Sequence, residues 1–141
     1  MKTISHFTAL SVLLVLLMGL GACNKDSTAV CTEHAVADCN PDPNKVNIRV
    51  KNVSDYDMCN FVLWPYDEKF NCGIIEAGES TCYRSFDIAY SYGYLKFYIS
   101  EKEFILQPFD FVGEVPLQNG YYTYSVDVNF DTGQIYLECS E

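Results

Sequence analysis

Residues 121–130 read YYTYSVDVNF, the longest run in the chain in which large apolar or aromatic side chains alternate with smaller or polar ones. A period of two is typical of a β-strand with one buried face, because successive side chains point to opposite sides of the strand. The predicted core face carries Tyr122, Tyr124, Val126, Val128 and Phe130, and the other face carries Tyr121, Thr123, Ser125, Asp127 and Asn129. The stretch therefore predicts a long strand that covers a β-rich core.

Shorter stretches of the same kind lie on either side of this one. Tyr92–Ser100 places Leu95, Phe97 and Ile99 on one side of a strand, and none of these stretches has a convincing helical period. Further strands are predicted at Val46–Lys51, Cys59–Trp64, a Cys72–Arg84 hairpin, Glu103–Gln107 and Gln134–Cys139. About eight short strands joined by turns predict an all-β fold, an antiparallel β-sandwich of immunoglobulin or transthyretin type.

The turn before the last strand tests this assignment. A three-residue loop at 131–133 would pair Val128 with Tyr136 and mix the two faces of the sheet. A loop with an even number of residues keeps the faces separate. We therefore predict the pairs Phe130 with Ile135, Val128 with Leu137, and Val126 with Cys139, with all six side chains on the core face.

Length, charge and composition exclude several classes of protein. The chain has 141 residues, 9 of them basic and 19 acidic, and loss of a leader containing Lys2 leaves a net charge of 8 − 19 = −11. A nucleic-acid partner is excluded, because phosphate backbones are held by clustered Lys and Arg. With 49% hydrophobic and 15% aromatic residues the chain is too apolar for a disordered protein.

The N-terminus predicts export. Lys2 precedes the apolar run Ala9–Leu20, and small residues stand just before Cys23. The run is too short to span a bilayer, and it is not amphipathic as a core helix would be. We therefore expect three segments: a signal peptide at 1–22, a lipidated polar tether at 23–44, and a single β-sandwich domain at 45–141.

The sequence Leu20-Gly21-Ala22-Cys23 resembles the lipobox of bacterial lipoproteins. The resemblance implies that the Cys23 thiol carries diacylglycerol, that the signal is cut before it, and that the new amino terminus is acylated, for example with palmitate. More than one acyl chain holds a domain on a membrane stably. Asn24 at the next position resembles lipoproteins that are passed to the outer membrane.

Three strings in the predicted domain carry a second resemblance. They are IRVKN at 48–52, GIIEAGES at 73–80 and GYYTY at 120–124. With the lipobox, they resemble small, largely uncharacterised β-rich lipoproteins of Bacteroidota. The resemblance implies a lipid-anchored location in the cell envelope and a β-rich fold, and it brings no activity and no site residues.

Six cysteines remain after Cys23, and an even number in an exported chain predicts disulfides. A hairpin turning at Glu76-Ala77-Gly78, with Gly78 in the left-handed region, places Cys72 directly opposite Cys82. The remaining predicted pairs are Cys31 with Cys39 and, by elimination, Cys59 with Cys139. A zinc site is the alternative, but the sequence has no CxxC pair and His34 is its only histidine after the leader.

The acidic residues of the last two strands form the nearest approach to a metal motif. Asp127, Asn129, Asp131 and Glu138 have the spacing of positions 1, 3, 5 and 12 of an EF-hand loop. The expected position-6 glycine is Thr132, and on a strand these side chains are splayed. We expect a solvated outer face, with a calcium site as the alternative, and we expect no cofactor.

The aromatic residues indicate a glycan-binding surface as one alternative. Tyr90, Tyr92 and Tyr94 share one predicted strand face, and with Trp64 they could stack against sugar rings. Tyrosine is also a favoured strand residue with an apolar ring and a polar tip. We expect most of the eleven tyrosines to have this structural role, with Tyr90, Tyr92, Tyr94 and Trp64 as the glycan-binding candidates.

We do not expect an enzyme. No GxSxG or HExxH string occurs, and no carboxylate pair is singled out as a catalytic dyad. The leading hypothesis is a lipid-anchored, non-catalytic β-sandwich of the cell envelope with a protein or glycan partner. The alternatives are an inhibitor or immunity-type lipoprotein that blocks a hydrolase through a protruding loop, at Asp55–Asp57 or Pro108–Pro116, and a glycan-binding module.

Overall fold

The computed structural model describes Cys31, residues 39–108 and residues 110–141. The predicted signal peptide and Cys23 lie outside these residues. Within the described ranges the chain is all-β, and no helix is long and apolar enough to cross a membrane. The strands are β1 (Val46–Asn52), β2 (Met58–Trp64), β3 (Phe70–Ile75), β4 (Arg84–Phe86), β5 (Tyr94–Ile99), β6 (Lys102–Leu106), β7 (Gly120–Asn129) and β8 (Gln134–Ser140).

The eight strands form two four-stranded sheets, which confirms the predicted β-sandwich. The first sheet has the order β4-β1-β7-β8 and the second has the order β3-β2-β5-β6. Every pair is antiparallel except β1 and β7, which run parallel over the whole length of β1. Parallel neighbours need a crossover connection, and here the chain builds the second sheet and β4 between the two strands.

The core lies between the two sheets and is built by the alternating faces that the sequence predicts. Leu95, Phe97 and Ile99 of β5 are buried, as are Tyr124 and Val126 of β7. The Phe61 and Phe97 rings stack 5.4 Å apart across two neighbouring strands, and Phe97 in turn stacks on Phe104 at 5.3 Å. This packing follows from the period-two pattern, since one face of each strand is apolar.

The predicted Cys72–Arg84 hairpin is wrong. The turn itself forms as expected, because Gly78 has φ +80 and the Glu79 amide donates to the Glu76 carbonyl at 3.0 Å. After the turn, however, the chain leaves the second sheet and pairs with β1 of the first sheet, beginning with the bridge between Ser80 and Lys51. A local turn does not determine which strand the following segment pairs with. Here pairing with β1 determines the path of the chain after the turn.

The β7–β8 hairpin keeps the predicted faces with different partners. Val128 pairs with Ile135, Val126 with Leu137, and Tyr124 with Cys139. The loop has an even number of residues, as predicted. It spans 130–133, one position earlier than the predicted Phe130–Ile135 pair requires, so each β7 residue pairs two residues away from its expected β8 partner. The core-facing set is unchanged, because a shift of two residues restores the same side of the strand.

The predicted disulfides are corrected by the structure. Cys31 bonds to Cys59 with a Cα–Cα distance of 4.9 Å, and Cys39 bonds to Cys82 at 5.5 Å. The predicted pairs Cys72–Cys82, Cys31–Cys39 and Cys59–Cys139 therefore do not form. Cys72 does not lie opposite Cys82 in a hairpin, because β3 and β4 belong to different sheets, while Cys139 on β8 and Cys59 on β2 also lie in different sheets.

Cys72 and Cys139 are free thiols. Burial raises the pKa of the Cys72 thiol, and burial also raises the pKa of Cys139. Both side chains therefore stay protonated at neutral pH and behave as small apolar groups.

The described part of the predicted tether is fastened to the domain. The Asp42 amide donates to Asn47 Oδ1 at 3.0 Å and to Ser85 Oγ at 2.8 Å. Asn47 is fully buried, and its side-chain amide donates to the carbonyls of Asp42, Lys45 and Gly120. Together with the disulfides of Cys31 and Cys39, these bonds make residues 39–44 part of the folded unit.

Candidate functional site

The two sides of the sandwich, where the edge strands of the sheets meet, differ in packing. We call the side formed by β3 and β4 the closed side and the side formed by β6 and β8 the open side. On the closed side the Phe70 and Phe86 rings meet edge to face at 6.3 Å, and the Arg84 guanidinium lies 5.7 Å from the Phe70 ring centre. The open side contains a groove.

The groove has a volume of about 440 Å³ and is predominantly apolar. Its described lining consists of Tyr92, Gly93, Leu106, Pro108, Asp110, Ile135 and Leu137. Alternation along β8 turns Ile135 and Leu137 inward, and alternation along β6 turns Leu106 to the same side as buried Phe104. Neither inner row is covered completely, so the two rows form the floor of the groove.

Tyr92 of the groove lining belongs to a group of four packed rings that we call the aromatic wall: Tyr66, Tyr90, Tyr92 and Phe111. The Phe111 ring stacks on Tyr90 at 4.6 Å and on Tyr92 at 5.2 Å, with interplanar angles of 23° and 14°. Tyr66 meets Tyr90 and Phe111 edge to face at 5.4 and 5.7 Å. Offset and edge-to-face contacts of this kind stabilise aromatic clusters beyond their buried area.

The aromatic wall is hydrogen-bonded to the core and has polar groups at its edge, which we call the polar rim. The buried Tyr124 hydroxyl donates to the Tyr90 carbonyl, which anchors the segment before β5. At the rim, the Tyr92 hydroxyl donates to the Asp110 carbonyl at 3.1 Å. Partial burial, followed by the nearby charges of Glu114 and Asp110, raises the pKa of Tyr92. Tyr92 therefore presents a neutral phenol beside carboxylates at neutral pH.

The four glycan-binding candidates fall into two groups. Trp64 and Tyr94 lie on the outer face of the second sheet, where their rings meet edge to face at 4.8 Å and the Lys69 ammonium lies 5.1 Å from the Trp64 ring centre. Tyr90 and Tyr92 belong to the aromatic wall. The prediction that Tyr90, Tyr92 and Tyr94 share one strand face is wrong, because β5 begins only at Tyr94.

The four calcium candidates are not assembled into a site. Asp127 lies opposite Tyr136 rather than Glu138, and its carboxylate accepts from the Val128 amide at 2.8 Å. Asn129 caps the turn by accepting from the Thr132 amide at 3.0 Å, while Asp131 lies in that turn. Within the described residues no group of three or more His, Cys, Asp or Glu side chains is placed to hold a metal ion. The structure gives the calcium alternative no support.

Sequence reasoning missed the groove and Phe111, the central ring of the wall. Phe111 lies in the connection between β6 and β7, which has no period-two pattern to assign its side chains to a face. The available signal was the pair of prolines, Pro108 and Pro116, that bracket apolar residues in a connection. In the structure this segment exposes Val112 (88%) and Val115 (77%), far more than the strand residues around them.

Comparisons with known proteins support the fold alone. No protein-family model matches the chain, and a search of curated proteins gives no match. Among solved structures, the chain is similar to a protein from Eubacterium rectale determined by NMR, with 12% sequence identity and a TM-score of 0.50. The similarity covers 67% of this chain and 88% of the other. At this identity the likeness shows the shared sandwich architecture and assigns no activity.

Proposed function

We propose that this protein is a lipid-anchored, non-catalytic binding protein of the bacterial cell envelope that holds its ligand in the open-side groove. The observation that carries the proposal is the composition of the groove, in which an apolar floor, the Tyr92 ring of the aromatic wall and a polar rim converge. Binding sites typically combine apolar and aromatic lining with a few placed polar groups in this way.

Two observations support placement in the envelope. The disulfides Cys31–Cys59 and Cys39–Cys82 are typical of proteins that fold in an oxidising compartment. The lipobox resemblance at Leu20–Cys23 adds an acyl anchor, and Asn24 favours the outer membrane as its destination. Together they support the proposal of a domain outside the cytoplasm on a lipid anchor.

The anchor is tested by following a labelled fatty acid into the chain. We expect metabolic labelling with palmitate to mark the wild type, and we expect a Cys23→Ser variant to be unlabelled and lost from the membrane fraction. A Cys139→Ser variant is the matched control, since it removes a thiol from β8 and leaves the lipobox intact. Equal labelling of wild type and Cys23→Ser would overturn the anchor.

The groove is tested by reversing one exposed charge in its lining. The full-length protein is immobilised and envelope extract is passed over it, before and after glycan digestion. We expect Asp110→Lys to reduce the captured material, because Asp110 is the charged residue of the described lining. Glu79→Lys changes an exposed acid in the β3–β4 connection, outside the groove lining, and is the matched control that should leave capture unchanged. Equal loss in both variants would contradict a groove-specific role.

A second candidate function is inhibition of a hydrolase by the loop after β6. Val112 and Val115 are the most exposed large apolar side chains in the described residues, and they lie in the predicted inhibitory segment Pro108–Pro116. Exposed apolar side chains on a connection are available to enter a partner's cleft. A Val112→Ser, Val115→Ser double variant should release an envelope hydrolase that the wild type inhibits, whereas groove binding would be retained.

A further inference from the structure

The four edge strands of the sandwich are not equally protected against pairing with another strand. β4 has only three residues, β3 pairs with β2 through an irregular register, and β6 begins with Lys102 and Glu103. Short, irregular or charged edges are the usual protections. β8 is the least protected edge, since it has seven residues, pairs with β7 without a register shift, and contains neither proline nor lysine, with Glu138 as its one charged side chain.

The outer edge of β8 also adjoins the groove. β8 is the last strand of its sheet, so its outer backbone groups have no neighbouring strand among the described residues. A strand added there would lie over the groove, and every second side chain would point onto the floor formed by Leu106, Ile135 and Leu137. Backbone hydrogen bonds would give affinity, and the pocketed side chains would give specificity.

The charge of the neighbouring surface indicates which side chains an added strand would carry on its other face, the one that points away from the groove. These side chains would lie beside the exposed outer face of β8, which carries Glu138 and Tyr136, with Asp127 on the neighbouring β7. β7 and β8 contain no basic residue, and Asp110 adds a carboxylate at the groove. Lysine or arginine is therefore the complementary side chain at these positions.

Resting on the proposed binding role of the groove, we propose that the groove and the β8 edge together bind an extended peptide segment of a partner protein, with apolar side chains alternating with basic ones. The segment adds to the first sheet as a ninth strand of about seven residues, matched to the length of β8. A second copy of this chain is disfavoured as the occupant, because the chain carries a net charge of −10 and its β8 offers an acidic side chain, Glu138, and no basic one.

The experiment measures backbone hydrogen exchange of the full-length, detergent-solubilised protein with defined peptides. The probe is a capped peptide of about eight alternating valine and lysine residues. One control replaces lysine with glutamate, and another keeps the side chains but carries N-methyl groups on alternate amides. We expect the valine–lysine peptide alone to slow exchange within Gln134–Ser140, by about fivefold or more.

Two variants locate the interaction. Tyr136 is 49% exposed on β8, and a Tyr136→Lys substitution places a protecting positive charge on the edge without disturbing the core. We expect it to weaken binding of the valine–lysine peptide about tenfold. Tyr121→Lys is the matched control, since Tyr121 is 42% exposed on interior strand β7 and binding should be retained.

The outcomes separate this proposal from the proposed function. If material is captured in an Asp110-dependent way but the peptides leave β8 exchange unchanged, or the N-methylated peptide slows it equally, strand addition is wrong and the binding role of the groove stands. If β8 is protected without any peptide and the protein is a dimer in solution, the occupant is a second copy and the proposal is overturned. Loss of Asp110-dependent capture would instead remove the proposed function.

Discussion

The closed and open sides of the sandwich differ in how the gap between the two sheets is filled at their edges. On the closed side, aromatic rings meet across the gap between β3 and β4, and the Cys39–Cys82 disulfide ties the N-terminal segment to the chain just before β4. On the open side, β6 and β8 leave a groove of about 440 Å³ between their inner rows. The closed side is thus held by a ring contact and a disulfide and keeps only a smaller pocket of about 290 Å³ between β3 and residues 79–82, whereas the open side leaves a larger apolar surface available.

The first way to sharpen this comparison is to remove one large side chain from each side. Phe86→Ala should lower the free energy of unfolding by about 4 kcal/mol, because Phe86 is fully buried against Phe70 and its loss leaves a cavity. Leu137→Ala should cost about 1 kcal/mol, since the side chain is only partly buried beside the groove. Urea denaturation of both variants measures the difference, and equal losses would show that the open side is as well packed as the closed side.

The second test removes the covalent tie on the closed side. A Cys39→Ser, Cys82→Ser double variant opens a link across a sequence separation of 43 residues, and we expect it to lose about 3 kcal/mol of stability because the unfolded chain gains freedom. Thermal unfolding followed by circular dichroism measures the change. Cys139→Ser on the open side is the control, and a comparable loss in that variant would argue against a special contribution of the disulfide.

The third test compares the two free thiols, one on each side. Cys72 on β3 is buried and should react with iodoacetamide only when the domain opens, whereas Cys139 on the β8 edge is partly exposed. We expect Cys139 to be alkylated at least about tenfold faster at pH 8. Mass spectrometry of timed samples measures both rates and also maps the disulfides. Faster alkylation of Cys72 would contradict the closed side as described.

The smallest expected effect concerns an exposed ion pair on the open side. Hydrogen bonds from Lys96 and Tyr98 lower the pKa of the Glu103 carboxyl, so this group contributes stability above its unfolded-state pKa and loses that contribution as the pH falls through its lower folded-state value. A Glu103→Gln variant should approach the wild type in stability below about pH 4. Urea midpoints across the acid range measure this convergence.

Glu101→Gln is the matched control for that measurement, since it removes one acidic charge from the turn before β6. A stability difference between Glu103→Gln and the wild type that is constant across the acid range would remove the pH dependence assigned to Glu103. The effect is small because the pair is exposed to solvent and screened by salt.

The sequence predicts the strands and their buried faces because a period of two leaves little choice. Phe97 and Tyr124, for example, lie in alternating stretches and are buried as expected. Strand partners were less accessible to prediction. The turn at Gly78 forms as expected, but the Thr81 amide then donates to the Val50 carbonyl of β1, a contact that spans about thirty residues. The error in that hairpin carried over directly into the disulfide assignment.

The candidate site could be predicted only in fragments. Tyr90 and Tyr92 were singled out, but their partner Phe111 lies in an irregular connection where no pattern assigns a face. The groove itself forms where β6 and β8, the edge strands of different sheets, lie next to each other. The sequence of neither strand predicts that the other is its neighbour. Edge strands are a property of the assembled sheets, so the open side became visible only with the topology.

The Cys31–Cys59 disulfide would also limit the distance between the domain and a membrane to which Cys23 is anchored. If Cys23 carries the lipid, the segment that links the lipid to the domain ends at Cys31, which the disulfide fixes to β2. Its eight peptide units can extend no further than about 29 Å. Without this disulfide, a linking segment that ran from Cys23 to Lys45 would be nearly three times as long. Leu106 in the groove lies beside Leu95, and Leu95 lies beside Leu63, four residues along β2 from the attachment point. With a lipid on Cys23, the domain would be held close to the bilayer by the end of its second sheet that carries Cys59, and Leu106 of the groove would lie toward the other end.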